Sequence, residues 1–403
     1  MTGIRSGVAI VALFALAHTC PAWAQKKYGP GVTDTEIKIG QTAPYSGNVS
    51  ALGAMGKAGS AYFDMINDQG GINGRKIKLI SLDDGYSPPK TVEQTRKLVE
   101  QEEVLALFNI IGTAQNMAVL RYTNANKVPH ICLASGNPVF VDPENYPWTM
   151  ACQPSFNTEA QAVVKYLRET RPNAKIAILY QNDDTGKAYR AGFRAALGDR
   201  AAQAIVAEAS YEPTDPTVDS QVIALKGSGA DVFLNVTTPK FGAQAIRKAA
   251  ELDWKPLQFL APPAASVAAT LQPAGVDKSV GIITAFFVKD PTDVQWQNDK
   301  GYLDWLAWMK KYNSSGSVAD VFNVYGYNFA QIMTQILKQA GDDLTRENVM
   351  RQATNLKDVE VSMLLPGIKA NTSPKNYQPV RQTQLYQFNG KTWIPFTQLI
   401  SPD

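Results

Sequence analysis

The chain has 403 residues, 45% of them hydrophobic and 19% charged. Single cores stop growing near roughly 250–300 residues, so one small domain is excluded, and a chain this apolar is not natively disordered. Lys+Arg 39 against Asp+Glu 36 leaves a net charge of only +3, and with the basic residues dispersed there is no electrostatic footprint for nucleic acid or an anionic membrane.

The N-terminus reads as an export signal over residues 1–24: Arg5, the apolar run Val8 to Ala17, then Ala22-Trp23-Ala24 with the small-x-small pattern of a cleavage site. A run of that length does not span a bilayer, so the mature chain is expected in the periplasm. Cys20 precedes the cleavage site in a poor lipoprotein box, which favours release and leaves lipid anchoring open. Two cysteines then remain, Cys132 and Cys152. In an oxidising compartment they are a possible disulfide; two buried free thiols are the other reading.

Short apolar runs then alternate with amphipathic stretches, the pattern of βαβ units. Glu36 to Gln41 reads as a strand, and Met55, Gly59, Tyr62 and Ile66 recur at helical spacing. Gly70-Gly71-Ile72-Asn73-Gly74 marks a turn before a strand over Lys76 to Leu82; Val92, Thr95, Leu98 and Val99 mark a second helix. Val104 to Ile111 and Val128 to Leu133 are two more strands. After Gln153-Pro154-Ser155 the pattern restarts: a helix over Thr158 to Arg168, a strand Ile176 to Tyr180, a helix near Lys187 to Leu197, and strands Ile205 to Ser210 and Val232 to Val236. An apolar run Gly281 to Val288, helices Trp296 to Lys311 and Phe322 to Lys338, and β-like Gln384 to Phe388 and Thr392 to Phe396 complete the chain. The fold expected is α/β: two doubly wound lobes, the chain crossing between them more than once.

In such sheets ligands bind beyond the carboxyl ends of the strands. Those ends read Ala43-Pro44-Tyr45-Ser46-Gly47, Gly112-Thr113-Ala114-Gln115, Ala134-Ser135-Gly136-Asn137, Asn182-Asp183-Asp184-Thr185-Gly186, Thr237-Thr238-Pro239 and Ala261-Pro262-Pro263. Small and hydroxylic residues at helix starts suit an anionic group.

The order Pro44-Tyr45-Ser46-Gly47, Asn67-x-x-Gly70-Gly71-Ile72-Asn73-Gly74-Arg75, Asp83-Asp84 resembles the branched-chain amino acid binding proteins of ABC importers, over nearly the whole mature chain. The resemblance implies a type I periplasmic binding fold: a clamshell of two Rossmann-like lobes joined by a three-crossover hinge, with the ligand cleft between them. It implies lobe 1 over 34–152, lobe 2 over 153–282, a return to lobe 1 over 283–355 and a C-terminal lobe 2 segment over 356–403. By the family's pattern a ligand carboxylate is held at Gly112, Thr113 and Ala114 and at Ala134, Ser135 and Gly136, with Asp184, Thr185, Thr237 and Thr238 as second-lobe contacts. No cofactor or metal is implied; the partner is an ABC permease, and the protein is expected to act as a monomer.

Amino-acid-binding relatives place a glutamate for the ligand ammonium after the strand that here is Leu257 to Leu260, where this chain has Ala261-Pro262-Pro263-Ala264 and no Asp or Glu from Lys255 to Val276. An ammonium buried without a partner costs several kcal/mol. The expected ligand is therefore a small carboxylate lacking an α-amine, unless Asp184 supplies the charge and an amino acid is bound. Pro263 joins the candidate site on that ground. Tyr45, Leu52, Phe286, Phe287 and Tyr325 are candidates to line an apolar cleft, against the plainer reading that the aromatics are core.

An enzyme is disfavoured. His130 is the one histidine of the mature chain and reads as a satisfied strand-start residue, while Asp83 and Asp84 face opposite sides of a strand and read as turn and capping groups. There is no GxxxxGK[ST] or GxGxxG turn for a nucleotide. A ligand sensor on the same fold is the alternative from another class, and an exported hydrolase is the last.

Overall fold

The Gly53–Asp68 helix shows why the chain packs as it does. Its glycines Gly53, Gly56 and Gly59 lie on one face, and the Val321–Ala340 helix brings Gly326 against it. A Cβ on Gly326 would sit 2.8 Å from the Ala58 Cβ, and one on Gly59 would sit 3.1 Å from Phe108. Backbones approach this closely only where side chains are missing. The 20-residue Val321–Ala340 helix buries most of its length, and with the Lys300–Tyr312 helix, whose Trp308 indole donates to the Ala61 carbonyl at 3.3 Å, it covers one face of the first sheet's lobe.

The computed structural model describes residues 26–402; the export signal and Cys20 lie outside the described residues. The strands are β1 (Lys27–Tyr28), β2 (Glu36–Ala43), β3 (Lys76–Asp83), β4 (Ala106–Phe108), β5 (His130–Leu133), β6 (Thr149–Ala151), β7 (Ile176–Gln181), β8 (Ile205–Tyr211), β9 (Val232–Val236), β10 (Leu257–Leu260), β11 (Ile283–Phe286), β12 (Asp343–Leu344), β13 (Gln384–Phe388) and β14 (Trp393–Pro395). β1 pairs only with β12. The first sheet is five-stranded, order β3-β2-β4-β5-β6, and parallel throughout. The second is seven-stranded, order β14-β13-β11-β10-β9-β7-β8, parallel except where β13 and β14 add antiparallel strands at one edge. Both are doubly wound, with the order reversing beside β2 in one and beside β7 in the other. Ile37, Ile39, Leu107 and Ile131 in the first sheet, and Ile178, Leu234 and Phe259 in the second, are buried, as strands covered on both faces require.

The lobe boundaries differ from the sequence reading in two places. β11 pairs with β10 and β13 in the second sheet, so the return to the first lobe begins after Phe286 and not at 283. An apolar run shows that a strand exists but not which sheet it joins. Nor does the chain re-enter the second sheet at 356. Ser362 is still bonded to Gln331 of the Val321–Ala340 helix, and re-entry comes with β13. Cys132 and Cys152 are joined in a disulfide, their Cα atoms 4.5 Å apart, tying β5 to the residue that follows β6. His130 opens β5 as expected, but it is completely buried and neither ring nitrogen finds a partner among the described residues; burial lowers its pKa to about 3.

Candidate functional site

The carboxyl ends of both sheets face one cavity of about 60 Å³. On the first-lobe side β4 leads through Gly112, at φ 105°, into the Thr113–Ala125 helix. Only glycine takes this conformation freely, and a Cβ there would stand 2.7 Å from the Tyr86 ring. The first amides of the helix have no intrahelical acceptor, so Thr113 brings a hydroxyl and a helix N-terminus to the same wall. Its Oγ1 lies 2.8 Å from Ser135 Oγ at the end of β5, and Ser135 Oγ also accepts from the Asn137 amide at 3.2 Å. Two hydroxyl protons share one mutual bond, which leaves the other proton to donate to an anion.

The second-lobe wall is a wired set of side chains. Tyr211 donates to Gln181 Oε1 at 3.1 Å and accepts from the Thr238 amide at 3.1 Å. Gln181 in turn donates to Asp183 and, at 3.5 Å, to Tyr86 of the opposite lobe. Asp183 caps the Asp184–Leu197 helix through the Thr185 and Gly186 amides, and burial raises its pKa. Thr237 Oγ1 is committed to Asn235 Oδ1 at 2.7 Å. The rear of the cavity, beside two crossovers, is aromatic: Phe156 stacks on Tyr189 with centroids 3.9 Å apart, and Phe287 on Tyr325 at 5.2 Å. Behind Tyr189 lies Glu159, wholly buried, accepting the Tyr189 hydroxyl at 2.6 Å, with its pKa raised by burial to about 8.

Of the residues singled out in the sequence, the fold brings Leu52, Gly112, Thr113, Ala134, Ser135, Thr185, Thr237, Thr238 and Pro263 to this cavity, together with Phe287 and Tyr325. Four it does not. Tyr45 turns along the sheet to bond Ser81 at 2.6 Å. Ala114 follows Thr113 into the helix and does not line the cavity. Gly136 lies behind Phe156, where a Cβ would stand 2.6 Å from the ring. Asp184 begins its helix outside the cavity, partly exposed, because its neighbour Asp183 takes the capping position. Phe286 belongs to the core beneath. Asp83 and Asp84 hold turns, Asp83 through Tyr45, Ser46 and Gly85, and Asp84 through Thr42, Tyr86 and Thr91.

The sequence reading missed Tyr86, Gln153, Phe156, Gln181 and Tyr189, which also line the cavity. Gln181 ends β7, one residue beyond the strand read to Tyr180, so the strand-end rule extended by one residue finds it, whereas Tyr86 lies three residues past the end of β3, on the turn held by Asp83 and Asp84. Phe156 and Tyr189 sit at helical spacing and carry no such mark. None of the cavity's lining residues, among those described, is Asp, Glu, Lys, Arg or His.

The sequence pattern of the family described as periplasmic binding protein matches residues 36–392. The chain belongs to that family. A curated relative of this binding protein, the Leu/Ile/Val-binding protein homolog 7 of Brucella abortus, is 23% identical over 84% of this chain and 86% of its own. Two solved structures share the fold. One is a branched-chain amino acid ABC transporter protein from Thermus thermophilus with bound valine, at a TM-score of 0.83 and 15% identity, covering 92% of this chain and 98% of its own. The other is the fatty acid ABC transporter substrate-binding protein from Thermomonospora curvata, at 0.77 and 22%, covering 94% and 95%.

Proposed function

We propose that this periplasmic binding protein is the solute-binding subunit of an ABC importer, trapping between its lobes a small organic carboxylate with an apolar or aromatic body and no α-ammonium group, and delivering it to a membrane permease as a monomer. The observation that carries the ligand class is the cavity wall. It offers a helix N-terminus with the Thr113–Ser135 hydroxyls for an anion and apolar or aromatic surface for a body, while Pro262 and Pro263 stand where an ammonium partner is expected and no lining side chain is charged. The Thermomonospora protein is named for a carboxylate that carries no amine. A branched-chain amino acid is the second reading, favoured by the name of the Brucella relative and by the valine in the Thermus structure, and it requires the ammonium to be met without a lining carboxylate. Closure follows from contacts made with both lobes at once, since a ligand shifts an equilibrium only by its differential affinity.

The test is a thermal-shift screen of residues 25–403 against aliphatic and aromatic carboxylates and against amino acids, with hits measured by calorimetry. A ligand at 100 times its dissociation constant adds about 2.7 kcal/mol to the folded state. Stabilisation by carboxylates alone supports the proposal; stabilisation by leucine or valine alone replaces it with the second reading.

A further inference from the structure

The turn after β3 carries a side chain across the cleft. Tyr86 sits at φ 60°, a left-handed conformation that is an outlier for a bulky residue. Such strain persists only where the surroundings impose it, and three contacts do so here. Asp84 Oδ1 accepts the Tyr86 amide at 2.9 Å, Gln115 Nε2 donates to the Tyr86 carbonyl at 2.8 Å, and the ring lies against Gly112, where a Cβ would stand 2.7 Å from it. All three hold Tyr86 from the first lobe, yet its hydroxyl ends in the second. Gln181 Nε2 donates to that hydroxyl at 3.5 Å, and the Asp183 carboxyl and the Thr185 side chain stand beside it. Burial and the Asp183 carboxyl raise the pKa of the phenol and keep it neutral. The receiving amide is itself held, by the Tyr211 hydroxyl at Oε1 and by Asp183 at Nε2. Tyr86 and Gln181 both line the cavity, so the lobes meet on the cavity wall itself, whereas the Asn48 bonds between the lobes are exposed.

We infer that Tyr86 is a positioning residue for ligand retention: it docks on Gln181 when the lobes close and holds the second-lobe wall against a ligand seated at the first. The inference rests on the reading of this protein as one that traps its ligand between two lobes, and it holds for either ligand class. A side chain fixed on one lobe loses a partner fixed on the other when the lobes part. Because the turn, the ring and Gln181 are each held in advance, docking orders little that was free. A bond made in only one of two states shifts the equilibrium toward that state, so this one slows opening, and with it release, without speeding capture.

The experiment compares wild type with Tyr86→Phe, each as the full mature chain, by stopped flow with phenylacetate, 4-methylpentanoate, leucine and valine as probes. Tyr86→Phe removes the hydroxyl and keeps the ring and the turn. For each probe that binds, release should be about 2- to 12-fold faster with association changed less than about 2-fold, and the melting temperature without ligand should not move. Unchanged release overturns the inference and leaves the importer reading standing. Faster release matched by a fall in ligand-free stability overturns it too, since Tyr86 then acts only on the fold. If none of the four probes binds, the ligand reading above falls, and closure is read without a ligand. Dyes on Lys57→Cys and Lys187→Cys, exposed positions on the Gly53–Asp68 and Asp184–Leu197 helices, report the closed fraction by energy transfer. A lower closed fraction in Tyr86→Phe supports the inference, and an equal one overturns it.

Discussion

The two walls of the cleft hold their hydroxyls in different states. On the first-lobe wall Thr113 and Ser135 are bonded to each other at a helix N-terminus and need nothing from the opposite lobe. On the second-lobe wall Thr237 is committed to Asn235 and Thr238 is held through its amide by Tyr211, while the Thr185 hydroxyl alone is unpartnered among the described residues. A hydroxyl pair at a helix N-terminus on one side and a largely satisfied surface on the other extend the proposal to an order, in which the first lobe captures and the second closes over what is captured. On that proposal, binding energy comes mainly from the first wall, and residence time mainly from contacts across the cleft.

The largest effect should come from breaking the first wall. Thr113→Ala removes one member of the hydroxyl pair and is expected to weaken binding of a carboxylate ligand by about 1–3 kcal/mol, a loss of roughly 5- to 150-fold. Thr237→Val should cost less, since that hydroxyl gives its one proton to Asn235 and has none left for an anion, whereas the Thr113–Ser135 pair keeps one free. Equal losses for the two variants in calorimetry would break the asymmetry.

Buried groups around the cleft should also respond to pH in opposite directions. His130 in the first sheet has a folded pKa near 3, below the usual histidine value. Its contribution is present above about 6.5 and is lost as the pH falls toward 3. Glu159 behind the second wall has a folded pKa of about 8 and Asp290, after the Phe287 crossover, one of about 7, both raised by burial. Their contribution is full below the ordinary carboxylate range and is lost as the pH rises through those values. Each group has a limiting slope of about 1.4 kcal/mol per pH unit. Urea unfolding from pH 5 to pH 9 should therefore show stability falling toward the alkaline end, and Glu159→Gln should flatten that fall. An unchanged slope in the variant removes Glu159 from the account.

The smallest effect belongs to the rim. Asn48 of the first lobe reaches across the cleft, donating to the Pro213 carbonyl at 2.9 Å and accepting from Lys240 Nζ at 3.0 Å. These are exposed bonds, worth at most about 1 kcal/mol, so Asn48→Ala should raise the ligand dissociation rate a few-fold with little change in association. Stopped-flow release measures it; a slower association with unaltered release would mean that Asn48 acts in the open form.

Much of the arrangement was legible in the sequence because its signals are local. Ile176 to Tyr180 and Val232 to Val236 are apolar runs of strand length and became β7 and β9; Gly112-Thr113 and Ala134-Ser135 sit at strand ends and line the cavity. Asp184 shows the limit. Adjacent acids at a helix start differ only in which takes the cap, and backbone geometry gave that role to Asp183. Phe156 and Tyr189 were illegible for another reason: an aromatic at helical spacing looks the same whether it faces core or cavity. The 281–288 run was read correctly as apolar, and its strand assigned to the wrong lobe.

By itself, then, the sequence determined the doubly wound α/β class, the strand ends that bear hydroxyls and the lack of any Asp or Glu from Lys255 to Val276, because hydrophobic period, turn chemistry and charge content are properties of neighbouring residues. Only the tertiary structure decided that Cys132 meets Cys152, that β11 and β13 complete the second sheet, and that the stacked rings of Phe287 and Tyr325 line the rear of the cleft. Each of these joins residues far apart along the chain or fixes the direction of a side chain, and such relations are set by packing.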